Sequence, residues 1–114
     1  MRSLLFLLEP GFTDGGRGPY FCPDTAYIEG FLSYVPEMAD HLDIRRIPFE
    51  KPRAELVELL GEPNQSCPVY IFPDGEEAPP EAELSPITGR MFISDTRHIV
   101  SYLSRRHRTL KPHS

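Results

Sequence analysis

In the stretch PYFCPDTAYIEGFLSYVP, residues 19 to 36, Cys22 stands directly before Pro23 and ahead of a segment with helical apolar spacing. A helix N-terminus leaves backbone N–H groups without partners and carries partial positive charge. A thiolate placed there is stabilised, and the thiolate is the nucleophilic form of cysteine. Asp24 works against this, since a carboxylate in the same first turn caps a helix but repels a neighbouring thiolate. Arg17, in the preceding segment, offsets Asp24 if that segment folds back. The plainer alternative makes Cys22 a small apolar residue at a helix start with no chemistry. Thr25 carries no sulfur, so no disulfide can close within this turn, and a redox cycle needs a second thiol from glutathione or another cysteine.

The other cysteine, Cys67, also precedes a proline, Pro68, at the head of the β-rich run PVYIF. Its plain alternative is a small buried residue at the mouth of a strand. No histidine adjoins either cysteine and zinc prefers four ligands, so no metal is expected. His41, His98, His107 and His113 are scattered, with no nucleophile that spacing identifies as a partner. The glycine-rich TDGGRG lacks the Lys-Ser/Thr ending of a phosphate loop. It reads instead as a flexible flap over Cys22, with Arg17 free to meet a carboxylate and Tyr20 beside it.

These residues need elements to hold them. SLLFLL is apolar on both parities, which predicts a strand covered on both faces. Residues 9 to 21 carry four glycines and two prolines and are expected to form a long irregular loop. From Pro23, the apolar positions Ile28, Phe31, Leu32 and Val35, widened by Tyr27 and Tyr34, predict a helix that Pro36 stops. LDIRRIPF predicts a strand. Pro52 is placed in the first turn of a short helix through RAELVELL, with Gly61 as its left-handed cap. PVYIF and RMFISD predict an antiparallel pair separated by an acidic, proline-rich, solvated loop over residues 73 to 89. TRHIVSYLSRRH closes the chain as a helix capped by Ser94 or Asp95.

The order βαβαββα, with helices on both faces of a four-stranded mixed sheet, predicts an α/β three-layer sandwich. This layout resembles the thioredoxin superfamily, and the likeness extends over nearly the whole chain, residues 1 to 114 as one domain. FCPDTAYIEGFL resembles the active-site turn of glutaredoxins, in a single-cysteine Cys-X-X-Thr form. SCPVYIF resembles the segment that carries that superfamily's cis-proline, which implies a cis Pro68. FISDTRHIVSYL is similar to the third-helix start of glutathione transferase N-terminal domains, where an acidic residue and a Ser or Thr hold the glutamyl end of glutathione. The chain also resembles a small bacterial group of thioredoxin-like proteins with no assigned function. The 114 residues leave no room for the all-helical second domain of a transferase, so a complete enzyme of that kind is not expected.

The resemblance implies Cys22 as nucleophile and Cys67 across from it, able to form a reversible pair if their Cα atoms lie within about 7 Å. The expected substrate contacts are Arg17 and Tyr20 of the flap, Pro23, Thr25, Pro68 and Val69, with Asp95 and Thr96 in the places the resemblance assigns to the glutamyl end. The main chain at Val69 would align an extended γ-glutamyl or peptide chain, although plain capping explains Asp95 and Thr96 without any ligand. The expected function is a thiol–disulfide oxidoreductase or glutathione-type thiol-binding protein, with no resident cofactor and glutathione as cosubstrate. The alternative is a non-enzymatic protein-association module that uses the acidic loop and the basic end as contact surfaces.

Composition narrows the classes further. Hydrophobic residues make up 39% and charged residues 25%, enough apolar material for one packed core. Thirteen prolines, against a usual share of about 5%, predict short helices and irregular connections. A formal charge of -5 excludes a global attraction to nucleic acid or anionic membranes. The terminal SRRHRTLK reads as a solvated last helical turn. MRSLLFLLEPG has too short an apolar run for a signal sequence or a membrane span, and cytoplasmic residence is expected, where two cysteines remain thiols. Expected partners are a small thiol or a protein thiol, and a homodimer is compatible with the chain.

Overall fold

The computed structural model describes residues 2 to 113. It is a mixed α/β fold with three α-helices and a sheet whose strands lie in the order Leu42–Ile47, Ser3–Leu8, Val69–Ile71, Met91–Ile93 and Glu83–Leu84. The central strand β1, Ser3–Leu8, is buried at every position. It runs parallel to β4, Leu42–Ile47, from Ser3 opposite Leu42 to Leu8 opposite Ile47. On its other side it runs antiparallel to β5, Val69–Ile71, with Phe6 opposite Val69 and Leu4 opposite Ile71. Then β5 pairs antiparallel with β7, Met91–Ile93, as the sequence predicts.

The full burial of β1 follows from its residue types. Successive side chains of a strand point to opposite faces, and here each face meets its own core. Leu5 and Leu7 pack with Ile28 and Phe31 of α1, Pro23–Tyr34, and with Ile99, Val100 and Leu103 of α3, Thr96–His107. Leu4 and Phe6 pack with Leu56 and Leu60 of α2, Ala54–Leu60. Tyr70 joins the first core while Val69 and Ile71 join the second. Helices therefore cover both faces, α1 and α3 on one and α2 on the other. α1 ends just before Pro36, the stop the sequence predicts, and a short 3-10 turn, Pro36–Asp40, leads into β4. Tyr34, expected on the buried stripe, is 79% exposed.

Four further expectations need correction. The sheet has five strands rather than four, because β6, Glu83–Leu84, adds a short edge beside β7. Residues 9 to 21 are not a loop throughout: β2, Phe12–Asp14, and β3, Arg17–Tyr20, form an antiparallel hairpin. Gly15 and Gly16 turn it with φ of 61° and 77°, so the glycines that argued against regular structure are the turn that permits it. Pro52 lies outside α2, whose cap is Arg53. Gly61 ends that helix at φ 92° and ψ 157°, positive in φ but outside the left-handed helical region.

The acidic excursion over residues 73 to 89 is pinned rather than freely solvated. The Glu76 side chain is only 6% exposed. Its Oε2 accepts hydrogen bonds from the hydroxyls of Tyr70 and Tyr102, each at 2.5 Å, and its Oε1 accepts one from Ser3 at 3.0 Å. Burial, and then these carboxylate bonds, push the pKa of both phenols upward, so they stay protonated donors. Farther along, the buried Ser85 donates to Leu60 O at 2.7 Å. The basic last turn of α3 is likewise partly engaged, Arg105 with Glu81 at 2.6 Å and Arg106 with Glu76 at 3.6 Å.

Candidate functional site

Strand directions bring three segments to one end of the sheet. β1 ends there at Leu8, while β5, antiparallel to it, begins there with Val69 opposite Phe6. β7, antiparallel to β5, ends there with Ile93 opposite Tyr70. The residues just outside these strand ends are the start of α1 with Cys22, the Cys67–Pro68 peptide, and the start of α3 with Asp95 and Thr96. The two helix starts meet through Arg97, whose guanidinium lies 5.3 Å from the centre of the Tyr27 ring.

Cys22 is the N-cap of α1, with φ -80° and ψ 119°, and is half-buried. Its Sγ accepts the N–H of Thr25 at 3.5 Å, and its carbonyl accepts the N–H of Ala26 at 3.0 Å. The sulfur thus stands where a capping oxygen usually stands. Pro23, exposed at the first helical position, has no N–H to leave unsatisfied.

Thr25 is not available to a substrate, contrary to expectation. It is buried, and its Oγ1 accepts the N–H of Leu8 at 3.1 Å. One residue therefore caps the strand end with its hydroxyl and the cysteine sulfur with its amide. Arg17 and Tyr20 are exposed on β3, and Arg17 forms no ion pair with Asp24.

Cys67 is joined to Pro68 by a cis peptide bond and is half-buried against the α2 side of the core. Burial pushes its thiol up to about 12, and the charge of Cys22 adds to the rise, while the Arg53 guanidinium pulls the other way. Cys67 is therefore a protonated thiol at neutral pH. Pro68 is buried, and the side chain of Val69 is in the α2-side core, which leaves only its main chain for any contact outside the fold.

Arg53, Gln65 and Phe49 fasten the segment that leads to Cys67, and none of them stands out in the sequence. Arg53 donates through Nη1 to Gln65 O at 2.7 Å and through Nη2 to Phe49 O at 2.6 Å. The Arg53 N–H donates to Gln65 Oε1 at 2.7 Å, so Arg53 and the buried Gln65 clasp one another twice. Phe49 in turn stacks on Phe12 of the hairpin, ring centres 4.3 Å apart and planes 2° from parallel. A continuous set of contacts therefore links the hairpin, the start of α2 and the segment before Cys67. No local spacing in the sequence announces it, since every link joins residues far apart in the chain or outside regular elements.

Asp95 is the exposed N-cap of α3, its Oδ1 accepting the N–H of His98 at 2.9 Å, which is the plain capping role. Thr96 follows as the half-buried first residue of the helix. Among the described residues, no group of three or more His, Cys, Asp or Glu side chains could hold a metal ion. No helix of the described residues is long and apolar enough to cross a membrane.

The chain matches the family described as "Protein of unknown function (DUF3088)" over residues 2 to 111, and it belongs to that family. Comparison with curated proteins and with solved structures returns no match.

Proposed function

We propose that the chain is a thioredoxin-like thiol–disulfide exchange protein with Cys22 as its nucleophile and glutathione or a protein thiol as its partner. The observation that carries this reading is the Thr25 N–H donated to Cys22 Sγ at a sheet end that Cys67–Pro68 and Asp95–Thr96 also share. The strand directions, with one parallel and two antiparallel pairs among β4, β1, β5 and β7, and helices on both faces, support the thioredoxin-like arrangement.

The chemistry follows from the two sulfurs. The Cys22 thiolate attacks one sulfur of glutathione disulfide, the S–S bond breaks, and one glutathione leaves as a thiolate that takes a proton from water. A Cys22–glutathione mixed disulfide remains. An external glutathione thiolate then attacks the mixed disulfide, restoring Cys22 and regenerating glutathione disulfide. In the other branch Cys67 loses its proton and attacks Cys22 Sγ, giving a Cys22–Cys67 disulfide and a second released glutathione. The protein pair is then oxidised by two electrons and the glutathione disulfide reduced by two. Because burial holds Cys67 protonated, the external branch is the faster one at neutral pH.

The non-enzymatic reading has one observation of its own. Phe21, next to Cys22, is 64% exposed, and Tyr20 is also exposed. Aromatic groups of this kind anchor protein interfaces. Incubation with glutathione disulfide and intact-mass spectrometry separates the two. A gain of one glutathione, absent in Cys22→Ser, supports exchange chemistry. No gain, with Phe21→Ala weakening self-association, supports the association module.

A further inference from the structure

Between α1 and the segment after α3 lies a groove of about 520 Å³. Phe31, Tyr34, Val100, Leu110 and Pro112 line it, and Lys111 is the sole charged residue among the described lining residues. Its size is that of a small-molecule site, roughly 300–1,000 Å³. Its covering segment is placed deliberately. Arg108 ends α3 in the left-handed conformation, at φ 55° and ψ 51°, and the Thr109 N–H bonds Ser104 O at 3.1 Å. The chain therefore turns off the helix and brings Leu110, Lys111 and Pro112 to the groove.

Gly30 keeps the groove open. A Cβ built on it meets nothing within 4 Å, and its φ lies outside the range that demands glycine. Glycine inside a helix costs about 1 kcal/mol relative to alanine, and neither backbone geometry nor packing explains why it stands here. Tyr34 and Leu110, 79% and 67% exposed, leave large apolar surface at the rim. Two cations stand at this surface: Lys111 in the lining and Arg97 over the ring of Tyr27, itself a lining residue.

We propose that this groove binds a small free amphiphile with an apolar body and a single carboxylate head. The apolar body lies against Gly30, Phe31 and Val100, and the head meets Lys111. The site does not depend on the thiol, and Cys22→Ser retains it.

The test uses the full chain with anilinonaphthalene sulfonate as a fluorescent probe and dodecanoate as competitor. Saturable probe binding displaced by dodecanoate is expected, with dodecanol or the Lys111→Gln variant showing affinity lower by up to about fivefold, as for an exposed ion pair. Gly30→Leu fills the groove and abolishes binding without lowering the melting temperature. Leu110→Asp, at an exposed position that cannot unfold the core, abolishes it independently. Absence of saturable binding, or undiminished binding in Gly30→Leu and Leu110→Asp, overturns the proposal. So does a dimer by sedimentation that Gly30→Leu disperses and dodecanoate leaves intact, which would assign the groove to a second copy of the chain.

Discussion

Thr25 Oγ1 accepts the amide N–H of Leu8 at 3.1 Å, which fastens the first turn of α1 to the end of the central strand. The same residue's N–H faces Cys22 Sγ, so the position of the sulfur depends on a bond made on the far side of Thr25. Thr25→Val keeps the shape but leaves the buried Leu8 N–H without an acceptor, at a cost of about 1–3 kcal/mol. We expect a lower denaturation midpoint and slower alkylation of Cys22, with both restored in Thr25→Ser. Unchanged stability in Thr25→Val would remove the hydroxyl from this role.

Glu76 holds the acidic excursion through Tyr70, Tyr102 and Ser3. Glu76→Ala strands two buried phenol hydroxyls and is expected to cost about 2–4 kcal/mol. Glu77→Ala, one residue along and exposed, is the matched control and should be close to neutral. Urea denaturation of both variants checks this. Equal midpoints would show that the carboxylate contributes nothing to the closure of the loop.

Cys67 gives the pH dependence. Its folded-state pKa is raised by burial to about 12, above the 9.0 of a free thiol. The protonated thiol is therefore favoured by the fold. This contribution is complete below the unfolded value and is lost as pH rises from that value through the folded one, because the unfolded chain ionises first. Thermal melts should show stability falling above pH 9, less steeply in Cys67→Ala than in the parent chain. Identical alkaline slopes would contradict the burial argument.

Much of this arrangement is legible in the residues, and the illegible part has physical causes. SLLFLL, apolar on both parities, has the composition of a strand that meets two cores, as β1 does. The helical spacing of Ile28, Phe31 and Val35 matches the face that α1 buries. The hairpin is hidden because RGPY has no apolar alternation and every residue of β3 is exposed. β6 is two exposed residues, and it exists only through its pairing with β7. Glu76 reads like Glu77, Glu81 and Glu83 in the sequence, and only the distant hydroxyls of Tyr70 and Tyr102 set it apart. Arg53 and Gln65 are likewise ordinary polar residues until the fold brings them together.

The role of Cys22 is tested most directly by peptide-resolved mass spectrometry during timed alkylation at pH 7, comparing the two cysteines in the native chain. The account predicts that Cys22 is modified at least about tenfold faster than Cys67, whose buried thiol stays protonated. Equal rates, or modification of Cys67 first, would contradict it.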